Sequence, residues 1–454
     1  MTKSETLEAS GTANMNCENL LCSEQEVVAQ SSSLSCQCPL RAGALLEGSL
    51  YSMLRRRMVL EGCKWDPQVG DVNTLARFPL FMRDTEWREV ASASEQLAAE
   101  TVAAESEIVG QPRLLRKLGL PRALCHALTG NAALTPAAVR VMRFDFHWTT
   151  DGWQLSEVNS DVPGGFTEAS YFTRLMTEHY PGARPAGDPV AEWAEALTQT
   201  AGEDGVVGLL AATGYMEDQQ IMAFLAARLR ERGLRAHLAN PTQLIWRDGW
   251  AHLDAAWFCG RLDAVVRFYQ GEWLARLPRR FGWQNFFRAG QTPVGNPGVG
   301  VIAESKRFPL VWDELTTRLI AWRRFLPESR DPRDAPWRTD DGWLVKSAMS
   351  NTGDDVCIRP LLNEHEWRRA CWEVRLSPGR WVAQRRFESV PIETPDGWRH
   401  ACIGVYTING RAAGVYTRLA PRPWIDFAAV DAALLVTEAS KPMQRDEYFH
   451  GSKH

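Results

Sequence analysis

Residues 142–148 alternate apolar and polar side chains, which is the pattern of a β-strand with one buried face. The turn that follows contains an Asp151-Gly152 pair, and Asp-Gly is typical of a tight connection between antiparallel strands. Residues 153–161 can then return beside the first strand. We therefore predict a β-hairpin whose phenylalanine and tryptophan side chains face a core.

A hairpin register centred on Asp151 pairs Asp145 with Glu157 and Arg143 with Asn159. These four side chains then share one face of the hairpin, because side chains alternate between the faces of a strand. Two carboxylates and an amide oxygen form a hard-oxygen cluster of the kind that Mg²⁺ prefers, and an arginine beside them can hold an anion. The alternative at this point is a solvated face with one salt bridge.

The chain has 454 residues, 45% of them hydrophobic, which is enough for two or three domains with substantial cores. Its formal net charge of −4 implies no general affinity for nucleic acid or for a membrane surface. No apolar run approaches the roughly 20 residues that span a bilayer. The first residues lack the basic and apolar regions of a signal peptide, so we expect a cytoplasmic protein.

Residues 1–45 are rich in polar residues, and we expect this tail to be disordered or loosely attached. The tail holds four cysteines whose spacing is not that of paired zinc ligands, namely Cys17, Cys22, Cys36 and Cys38. We interpret them as incidental, with zinc binding and redox chemistry as the less favoured alternatives.

The rest of the chain divides into three predicted parts, residues 46–195 with the hairpin, residues 196–300, and residues 301–454. The second part contains an apolar strand, an amphipathic helix and another strand (205–212, 217–232 and 235–239). A strand–helix–strand unit of this length builds a parallel sheet. It lacks the G-x-G-x-x-G fingerprint of dinucleotide-binding folds, so we predict a small α/β domain without that function.

The third part returns to antiparallel signals. Strands are predicted over residues 342–346, 356–359 and 381–384, and an apolar helix over residues 309–325. Residues 401–418 form a predicted hairpin around Asn409-Gly410, which is the strongest short-range turn signal in the chain.

Several polar residues of this part stand where a nucleotide could bind. Lys346 ends a strand directly before a loop of small residues that contains Gly353, and such loops let backbone N–H groups approach phosphates. Gln384 ends another strand, where an amide can hydrogen-bond an adenine edge, and Lys306 precedes the predicted helix. Taken singly, each has a plainer explanation: a hairpin connection, a solvated strand end and a surface lysine.

Glu217 and Asp218 follow the first strand of the predicted parallel sheet. Ligands bind at the carboxyl ends of such strands, and two acids there could hold a cationic amine. They could equally be first-turn residues that complement the helix dipole.

In their order along the chain, these residues resemble the glutathionylspermidine synthase family of circularly permuted ATP-grasp ligases. The resemblance covers roughly residues 58–430 and rests first on the hairpin spacing of R-x-D followed by E-x-N. It continues through the acidic pair, Lys306, Lys346, Gln384 and the segment Gly414-x-Tyr-x-Arg418. It implies a mixed α+β and α/β architecture, a circularly permuted ATP-grasp fold with a small parallel α/β pre-ATP-grasp-like domain.

The resemblance also implies ATP and Mg²⁺ as cofactors, with two metal ions. Asp145, Glu157 and Asn159 would bind the metal that bridges the phosphates of ATP. Arg143 would stabilise the transferring phosphoryl group and the acyl phosphate, and Arg418 would be a second anion clamp.

The nucleotide itself would be bound by the third part of the chain. By the resemblance, Lys306 and Lys346 would contact the phosphates, the loop around Gly353 would close over them, and Gln384 would hold the adenine.

On the substrate side, Glu217 and Asp218 would sit where the family receives its polyamine. The sequence departs from the family in two places that concern substrates. The hairpin exit reads Pro163-Gly164-Gly165 where the family has hydroxyl residues, and the family's tryptophan-rich segment is replaced by a segment around Arg267, which we count among the substrate residues.

We therefore predict an ATP- and Mg²⁺-dependent ligase that joins a small-molecule or peptide carboxylate to an amine. One alternative is a tailoring ligase that acts on a peptide or a carrier-bound amino acid. Another is a non-catalytic, nucleotide-binding regulatory module. Nucleic acid and membranes are not expected partners, and a homodimer is left open.

Overall fold

The computed structural model describes residues 38–69, 72–349, 356–426 and 428–438. The chain divides into two units, Met1–Cys38 and Pro39–His454, and the elements named here belong to the second. Four residues singled out from the sequence lie outside the described residues, namely Cys17, Cys22, Cys36 and Gly353.

The described strands are, in chain order, β1 (Leu40–Ala42), β2 (Gln68–Val69), β3 (Val72–Asn73), β4 (Leu80–Arg83), β5 (Val141–Thr149), β6 (Gly152–Asn159), β7 (Ala183–Pro185), β8 (Val206–Ala211), β9 (Arg235–Ala239), β10 (Leu244–Arg247), β11 (Trp250–Ala255), β12 (Phe258–Arg261), β13 (Ala264–Phe268), β14 (Val294–Gly295), β15 (Ser329–Arg330), β16 (Trp343–Ser347), β17 (Val356–Cys357), β18 (Trp381–Arg385), β19 (Ile392–Thr394), β20 (Gly397–Ile408), β21 (Arg411–Ala420), β22 (Val430–Ala432) and β23 (Leu434–Thr437).

The described α-helices are α1 (Gly48–Leu60), α2 (Asp84–Ile108), α3 (Pro112–Lys117), α4 (Arg122–Thr129), α5 (Thr173–Thr177), α6 (Pro189–Ala201), α7 (Met216–Glu231), α8 (Gly271–Leu274), α9 (Val301–Glu304), α10 (Ile320–Phe325) and α11 (Glu364–Leu376). A π-helical segment, Glu168–Phe172, precedes α5. Short 3₁₀ segments lie at Pro241–Gln243, Arg279–Phe281, Trp283–Phe286, Gly298–Gly300, Phe308–Glu314, Arg359–Leu361 and Pro378–Arg380.

Six strands form the central sheet, in the order β22-β21-β20-β5-β6 with β19 paired to β20. The predicted hairpin is confirmed as β5 and β6, with Asp145 opposite Glu157 and Arg143 opposite Asn159. The predicted hairpin around Asn409-Gly410 is also confirmed, as β20 and β21. The central sheet therefore brings two hairpins that are more than two hundred residues apart in the chain to neighbouring strands.

The turn of the first hairpin is tighter than a register centred on Asp151 requires, because Thr149 pairs with Gly152. The pairing shifts by one residue between the turn and Asp145, which leaves Ser156 as an extra residue on β6. Such a β-bulge re-aims side chains locally, and it reconciles the tight turn with the predicted pairs. The bulge itself was not predicted.

The other face of β5 is part of the core, as predicted. Phe144 and Phe146 are fully buried. Their rings make edge contacts with Trp322 and Phe325 of α10, at centroid distances of 6.0 and 5.7 Å. Aromatic packing of this kind fixes which face of the hairpin is left for polar residues.

A second sheet is parallel, in the order β14-β13-β8-β9. Strands β8 and β9 pair in parallel and are joined by α7, so the strand–helix–strand prediction is confirmed. The inner strands β8 and β13 are buried along their whole length, as expected for a parallel sheet covered on both faces, whereas the edge strand β9 is partly exposed.

A third sheet is antiparallel, in the order β15-β18-β16-β17, and it confirms the strands predicted near residues 342–346, 356–359 and 381–384. Its own small core includes Trp337, Trp343 and Trp381. The remaining sheets are β1-β4-β23-β7, β10-β11-β12 and β2-β3.

The single helix predicted over residues 309–325 is wrong. The structure has a 3₁₀ segment, Phe308–Glu314, and then α10, with Leu319 between them at a φ of 49°. Carboxylates of α2 stabilise the break: Glu107 accepts the backbone N–H groups that follow the 3₁₀ segment, and Glu100 accepts those of the first turn of α10. These tertiary partners replace the hydrogen bonds that a continuous helix would have made.

The architecture is therefore mixed, with parallel and antiparallel sheets and helices packed between them. No helix in the described ranges is long and apolar enough to cross a membrane. The domain boundaries at residues 195/196 and 300/301 stay predictions.

Candidate active site

One face of the central sheet carries a cluster of charged side chains from three strands. Arg143 and Asp145 come from β5, Glu157 from β6 and Arg418 from β21. The strand between β5 and β21 contributes Gly404, which lies opposite Asp145. A side chain there would meet Arg143 and Asp145 at 2.8 Å, so the glycine leaves the space that this cluster fills.

Asp145 is the centre of this cluster and is 1% exposed. Arg143 binds it with two hydrogen bonds, from Nε to Oδ1 at 2.7 Å and from Nη2 to Oδ2 at 2.9 Å. Arg418 Nη2 and Asn159 Nδ2 also donate to Oδ2, at 3.1 and 3.2 Å. Because Asn159 donates through its nitrogen, its amide oxygen is available for a cation. The structure thus brings the four predicted residues of this face together.

The β-bulge turns Glu157 and Ser156 toward a common cleft. Lys306 Nζ lies 3.3 Å from Glu157 Oε2, and Lys346 Nζ donates to the carbonyl of Ser156 at 3.1 Å. Both predicted lysines therefore converge on the hairpin, one from the segment after α9 and one from β16 of the third sheet. Because β16 and β18 pair, Gln384 lies opposite Leu344 and faces the same cleft.

The protonation of these groups reflects their burial and mutual charge. Burial by itself raises the pKa of Glu157, but four cationic neighbours, Lys306 and Lys346 first, outweigh it and lower that pKa to about 2. Burial lowers the pKa of Lys346 to about 8, and the positive charge of Lys306 acts in the same direction. The cleft therefore holds more positive charge than its own carboxylates compensate.

The cluster contains two carboxylates, Asp145 and Glu157, against four cationic side chains, Arg143, Arg418, Lys306 and Lys346. Among the described residues no group of three or more His, Cys, Asp or Glu side chains could hold a metal by itself. Glu157 and the amide oxygen of Asn159 suit Mg²⁺, which takes few protein ligands and completes its shell with water and phosphate oxygens. Both oxygens of Asp145 accept hydrogen bonds from arginines in this structure.

Beside the cluster lies a cavity of about 100 Å³ between the central and third sheets. Its walls are largely apolar and aromatic, with Leu344, Ile358, Phe387 and Trp424 among them. Gln384 is buried in this wall and donates from Nε2 to Ser329 Oγ at 3.1 Å. A largely apolar cavity with one amide in its wall, next to a cationic cluster, can hold a heterocyclic base with its phosphates on the charged side.

His147 and Cys402 also line this cavity. Burial lowers the pKa of His147 to about 4 and raises the pKa of Cys402 to about 12, so both are neutral at physiological pH. His147 contacts Ser156 Oγ through Nε2 at 3.2 Å, which makes it a neighbour of the bulge.

The hairpin exit connects this cluster to a second group of residues. The carbonyl of Gly164 accepts hydrogen bonds from Arg143 Nη1, at 2.8 Å, and from the hydroxyl of Tyr406. Gly165 has a φ of 83°, and a side chain there would meet the ring of Tyr416 at 2.6 Å. The two glycines therefore pack the exit against Tyr406 of β20 and Tyr416 of β21. Tyr416 belongs to the Gly414-x-Tyr-x-Arg418 segment quoted above, but no role was predicted for either tyrosine.

An acidic cluster lies next to this exit. It consists of Asp66, Glu168, Glu217 and Asp431 together with Lys64, whose Nζ lies 2.6 Å from Glu168 Oε1 and 3.4 Å from Asp66 Oδ1. Glu217 approaches the exit itself, since a side chain at Gly164 would meet its Oε1 at 3.0 Å. The predicted acid Glu217 is thereby brought beside the catalytic candidates. No role was predicted for Lys64, Glu168 or Asp431.

Several carboxyls of this region hold protons more tightly than usual. Burial and the charge of Glu168 raise the pKa of Asp431 to about 7, and Tyr416 donates to Asp431 Oδ1 at 2.6 Å. Loss of hydration near the surrounding protein and the negative charge of Glu168 raise the pKa of Glu217, although part of its side chain is exposed to solvent. Asp218, one residue further along α7, has a pKa raised to about 7 by burial and by Glu217.

Arg267 has a different environment from the one expected of a substrate residue. It is 1% exposed, and it pairs with Asp161 and donates to the carbonyls of Tyr269, at 2.7 Å, and Asn296, at 3.3 Å. All three of its nitrogens thus bind inside the protein, where they join the hairpin end to the parallel sheet. Its substrate role stays a prediction.

Glu304 is a further buried acid that the sequence did not reveal. Its Oε2 accepts the backbone N–H groups of Ser160 and Asp161, at 2.7 and 2.9 Å. Burial raises its pKa to about 7. It anchors the chain directly after the metal candidate Asn159, and the only sequence signal for it is its position two residues before Lys306.

Two solved structures are similar to this one in different degrees. The structure of a glutathione synthetase-like effector from Globodera pallida, in its apo form, is similar with a TM-score of 0.57 and 12% identity, covering 86% of this chain and 96% of that chain. This likeness supports the fold alone. A protein described as a candidate γ-glutamylcysteine synthetase from Methylobacillus flagellatus has a TM-score of 0.39 and 11% identity, covering 72% of this chain and 82% of that chain, which is too distant to support an argument.

A comparison with curated protein sequences finds no match. The family model of the glutathionylspermidine synthase pre-ATP-grasp family, however, matches residues 75–425. This range contains the hairpin, both lysines, Gln384 and Arg418, and it spans well over half of the chain. The chain therefore belongs to the glutathionylspermidine synthase pre-ATP-grasp family.

Proposed function

We propose that this protein is an ATP- and Mg²⁺-dependent carboxylate–amine ligase that forms an amide bond through an acyl phosphate. The observation that carries the proposal is the convergence of four cationic side chains on Asp145, Glu157 and the carbonyl of Ser156, next to a largely apolar cavity. Phosphoryl transfer needs positioning and charge neutralisation more than covalent help from the protein.

The γ-phosphate of ATP would lie above Asp145, with Arg143 and Arg418 beside it. An oxygen of the substrate carboxylate attacks the γ-phosphorus, the bond to the β-phosphate oxygen breaks, and ADP and an acyl phosphate form. The two guanidiniums stabilise the negative charge that spreads over the transferring oxygens. Asp145, Glu157 and Asn159 would hold Mg²⁺, which supplies further charge neutralisation on the phosphates.

In the second step the amine nitrogen attacks the carbonyl carbon, inorganic phosphate leaves, and the nitrogen loses a proton. Arg143 would stabilise the oxyanion by its positive charge, since its guanidinium reaches the hairpin exit, where Nη1 donates to the carbonyl of Gly164. The acidic cluster beyond this exit supports an amine approaching from that side, with Glu217 at the cleft mouth.

The nucleotide would occupy the cavity beside Gln384, with Lys346 and Lys306 on its phosphates. The strands that bear the metal candidates precede both lysines in the sequence, which supports a circularly permuted ATP-grasp arrangement. The cationic excess of the cleft favours this use, because a bound polyphosphate with Mg²⁺ compensates it.

The test is ADP formation by the full chain with Mg²⁺, ATP, hydroxylamine and a panel of amino acids and small peptides as carboxylates. Hydroxylamine captures acyl phosphates as hydroxamates, so the natural amine need not be known. We expect Asp145→Asn to abolish hydroxamate formation and Asp151→Asn to leave it unchanged, because Asp151 lies exposed in the turn of the same hairpin. Full activity of Asp145→Asn contradicts the proposed site.

Calorimetry with ATP and Mg²⁺ separates the remaining alternatives. Nucleotide binding without hydroxamate formation on any acid indicates the regulatory module. Hydroxamate formation only on peptides or on carrier-bound amino acids indicates the tailoring ligase. Absence of nucleotide binding contradicts all three.

A further inference from the structure

Lys64 lies inside the acidic cluster, where a substrate ammonium group would otherwise be expected. Its Nζ is 2.6 Å from Glu168 and 3.4 Å from Asp66, and the side chains of Lys64 and Glu168 are only 9% and 7% exposed. The backbone holds it in place after α1, because its N–H donates to the carbonyl of Met58 at 2.9 Å. The ion pair is therefore built into the fold rather than formed by a mobile surface lysine.

Lys64 keeps its charge in this position. Burial lowers its pKa, but the carboxylates of Glu168 and Asp431 outweigh burial and leave that pKa raised. The resident ammonium thus compensates one of the four carboxylates at every physiological pH. Asp431 accepts a hydrogen bond from Tyr416 and has a pKa raised to about 7, so it is partly protonated near neutral pH and adds less than a full negative charge to the cluster.

The cluster also contains a polar group that the protein leaves unsatisfied. Gln220 is 2% exposed, and its Oε1 accepts the backbone N–H of Trp65, the residue between Lys64 and Asp66, at 2.7 Å. This hydrogen bond fixes the amide head beside the cluster. Its Nε2 has no hydrogen-bond partner among the described residues. A buried donor without an acceptor is costly, so a ligand that offers an acceptor at this position would be stabilised by it.

The cluster is near enough to the reacting centre to bind the same substrate. Tyr416 donates to Asp431 with its hydroxyl, while the guanidinium carbon of Arg143 lies 5.2 Å from the centroid of its ring. Glu217, on the other side, contacts the exit at Gly164. An amine held at the cluster therefore projects toward the position proposed for the acyl phosphate.

We propose that Lys64 takes the place of one ammonium group, so that the amine substrate carries a single positive charge, paired with Glu217, and a hydrogen-bond acceptor for Gln220. Amino alcohols and amino acids have this chemistry, and polyamines do not. A second ammonium would meet Lys64, and like charges brought together in a binding site cost enough to exclude a ligand. The inference rests on the proposed ligase function and specifies its amine.

The experiment compares the full chain with Lys64→Met, which keeps the length of the side chain and removes its charge, and with Lys64→Arg, which keeps the charge. The amines are ethanolamine, serine, 1,3-diaminopropane and spermidine, and the readout is kcat/KM for amide formation. We expect the unaltered chain and Lys64→Arg to favour the singly charged amines at least about tenfold, and Lys64→Met to shift this ratio at least about tenfold toward the diamine.

The same ratio in Lys64→Met as in the unaltered chain, or a preference of the unaltered chain for spermidine, overturns the inference. If Lys64→Met does not fold, the unaltered chain tests the inference by competition between hydroxylamine and the four amines. Singly charged amines must then suppress hydroxamate formation more strongly than the diamine and spermidine do. If no hydroxamate forms with any acid, the proposed function fails separately. Calorimetry of 1,3-diaminopropane binding to both variants then tests Lys64 alone, with tighter binding expected for Lys64→Met.

Discussion

Replacing Gly165 by alanine tests whether the hairpin exit is shaped by its contact with Tyr416. Gly165 has a φ of 83°, and an added Cβ would lie 2.6 Å from the ring of Tyr416. The ring has little freedom to move, because its hydroxyl binds Asp431 and the guanidinium carbons of Arg143 and Arg418 lie 5.2 and 5.7 Å from its centroid.

The expected cost has two parts. A non-glycine residue in a left-handed conformation costs about 1–2 kcal/mol. Forcing a methyl group into a filled space adds about 1–3 kcal/mol. Gly152 in the turn of the same hairpin is the matched control, since its φ is 95° and an added Cβ meets nothing within 4 Å. We expect Gly165→Ala to lose about 2–5 kcal/mol of unfolding free energy and Gly152→Ala about 1–2 kcal/mol.

The assay is urea unfolding of both variants and the unaltered chain, followed by tryptophan fluorescence and by circular dichroism. Hydroxamate formation provides a second readout: it should fall in Gly165→Ala, where Tyr416 is displaced, and persist in Gly152→Ala. Equal losses of stability in the two variants would refute the reasoning, because they would mean that the contact with the ring adds nothing beyond the backbone conformation.

Three further predictions concern charge and packing. The pKa of Lys346 near 8 means that its charge is lost as pH rises through 8, so ATP affinity should fall over that range, and Lys346→Met should flatten the dependence in calorimetry between pH 6.5 and 9.5. The pKa of Glu304 is raised from 4.5 to about 7, so the stability that its protonated form contributes is fully present below pH 4.5 and is lost as pH rises through 7. Glu304→Gln should remove this part of the pH dependence of urea unfolding. An unchanged pH profile in the variant contradicts the assignment. Phe144 is fully buried, and Phe144→Ala should cost about 3–5 kcal/mol in the same assay, with a cost below about 1 kcal/mol arguing against its core position.

The hairpin could be predicted in register because its alternation is strictly local. Apolar and polar side chains on β5 specify which face is buried, and a one-residue slip would have moved Phe144 to the charged side. The bulge at Ser156 could not be predicted, because the local sequence allows two pairings of β6 with β5 that differ by one residue. Contacts with the rest of the sheet and with the cleft determine where the pairing shifts. Without the bulge, the tight turn would have placed Glu157 out of line with Asp145.

The residues that sequence reasoning missed are those whose partners lie far away in the chain. Lys64 and Glu168 are separated by more than a hundred residues and Asp431 by many more, so no spacing rule connects them. The helix predicted over residues 309–325 was wrong for the same reason. Its apolar pattern is genuine, but Glu100 and Glu107 of α2 bind the backbone at the break, and their proximity is a property of the tertiary fold.

The hairpin exit shows why a departure from a family pattern carries structural information. Pro163-Gly164-Gly165 lacks the hydroxyl groups that the family resemblance leads one to expect there, yet Gly164 offers its carbonyl to Arg143 and leaves space for Glu217. Gly165 in turn allows Tyr416 to lie between Arg143 and Asp431. A side chain at Gly164 would meet Glu217, and one at Gly165 would meet Tyr416, so either would push the acidic cluster away from Arg143 and Asp145. On the proposed function, the two glycines would leave a short path between the phosphates and the amine, and we expect such a path to favour a small amine over a long one.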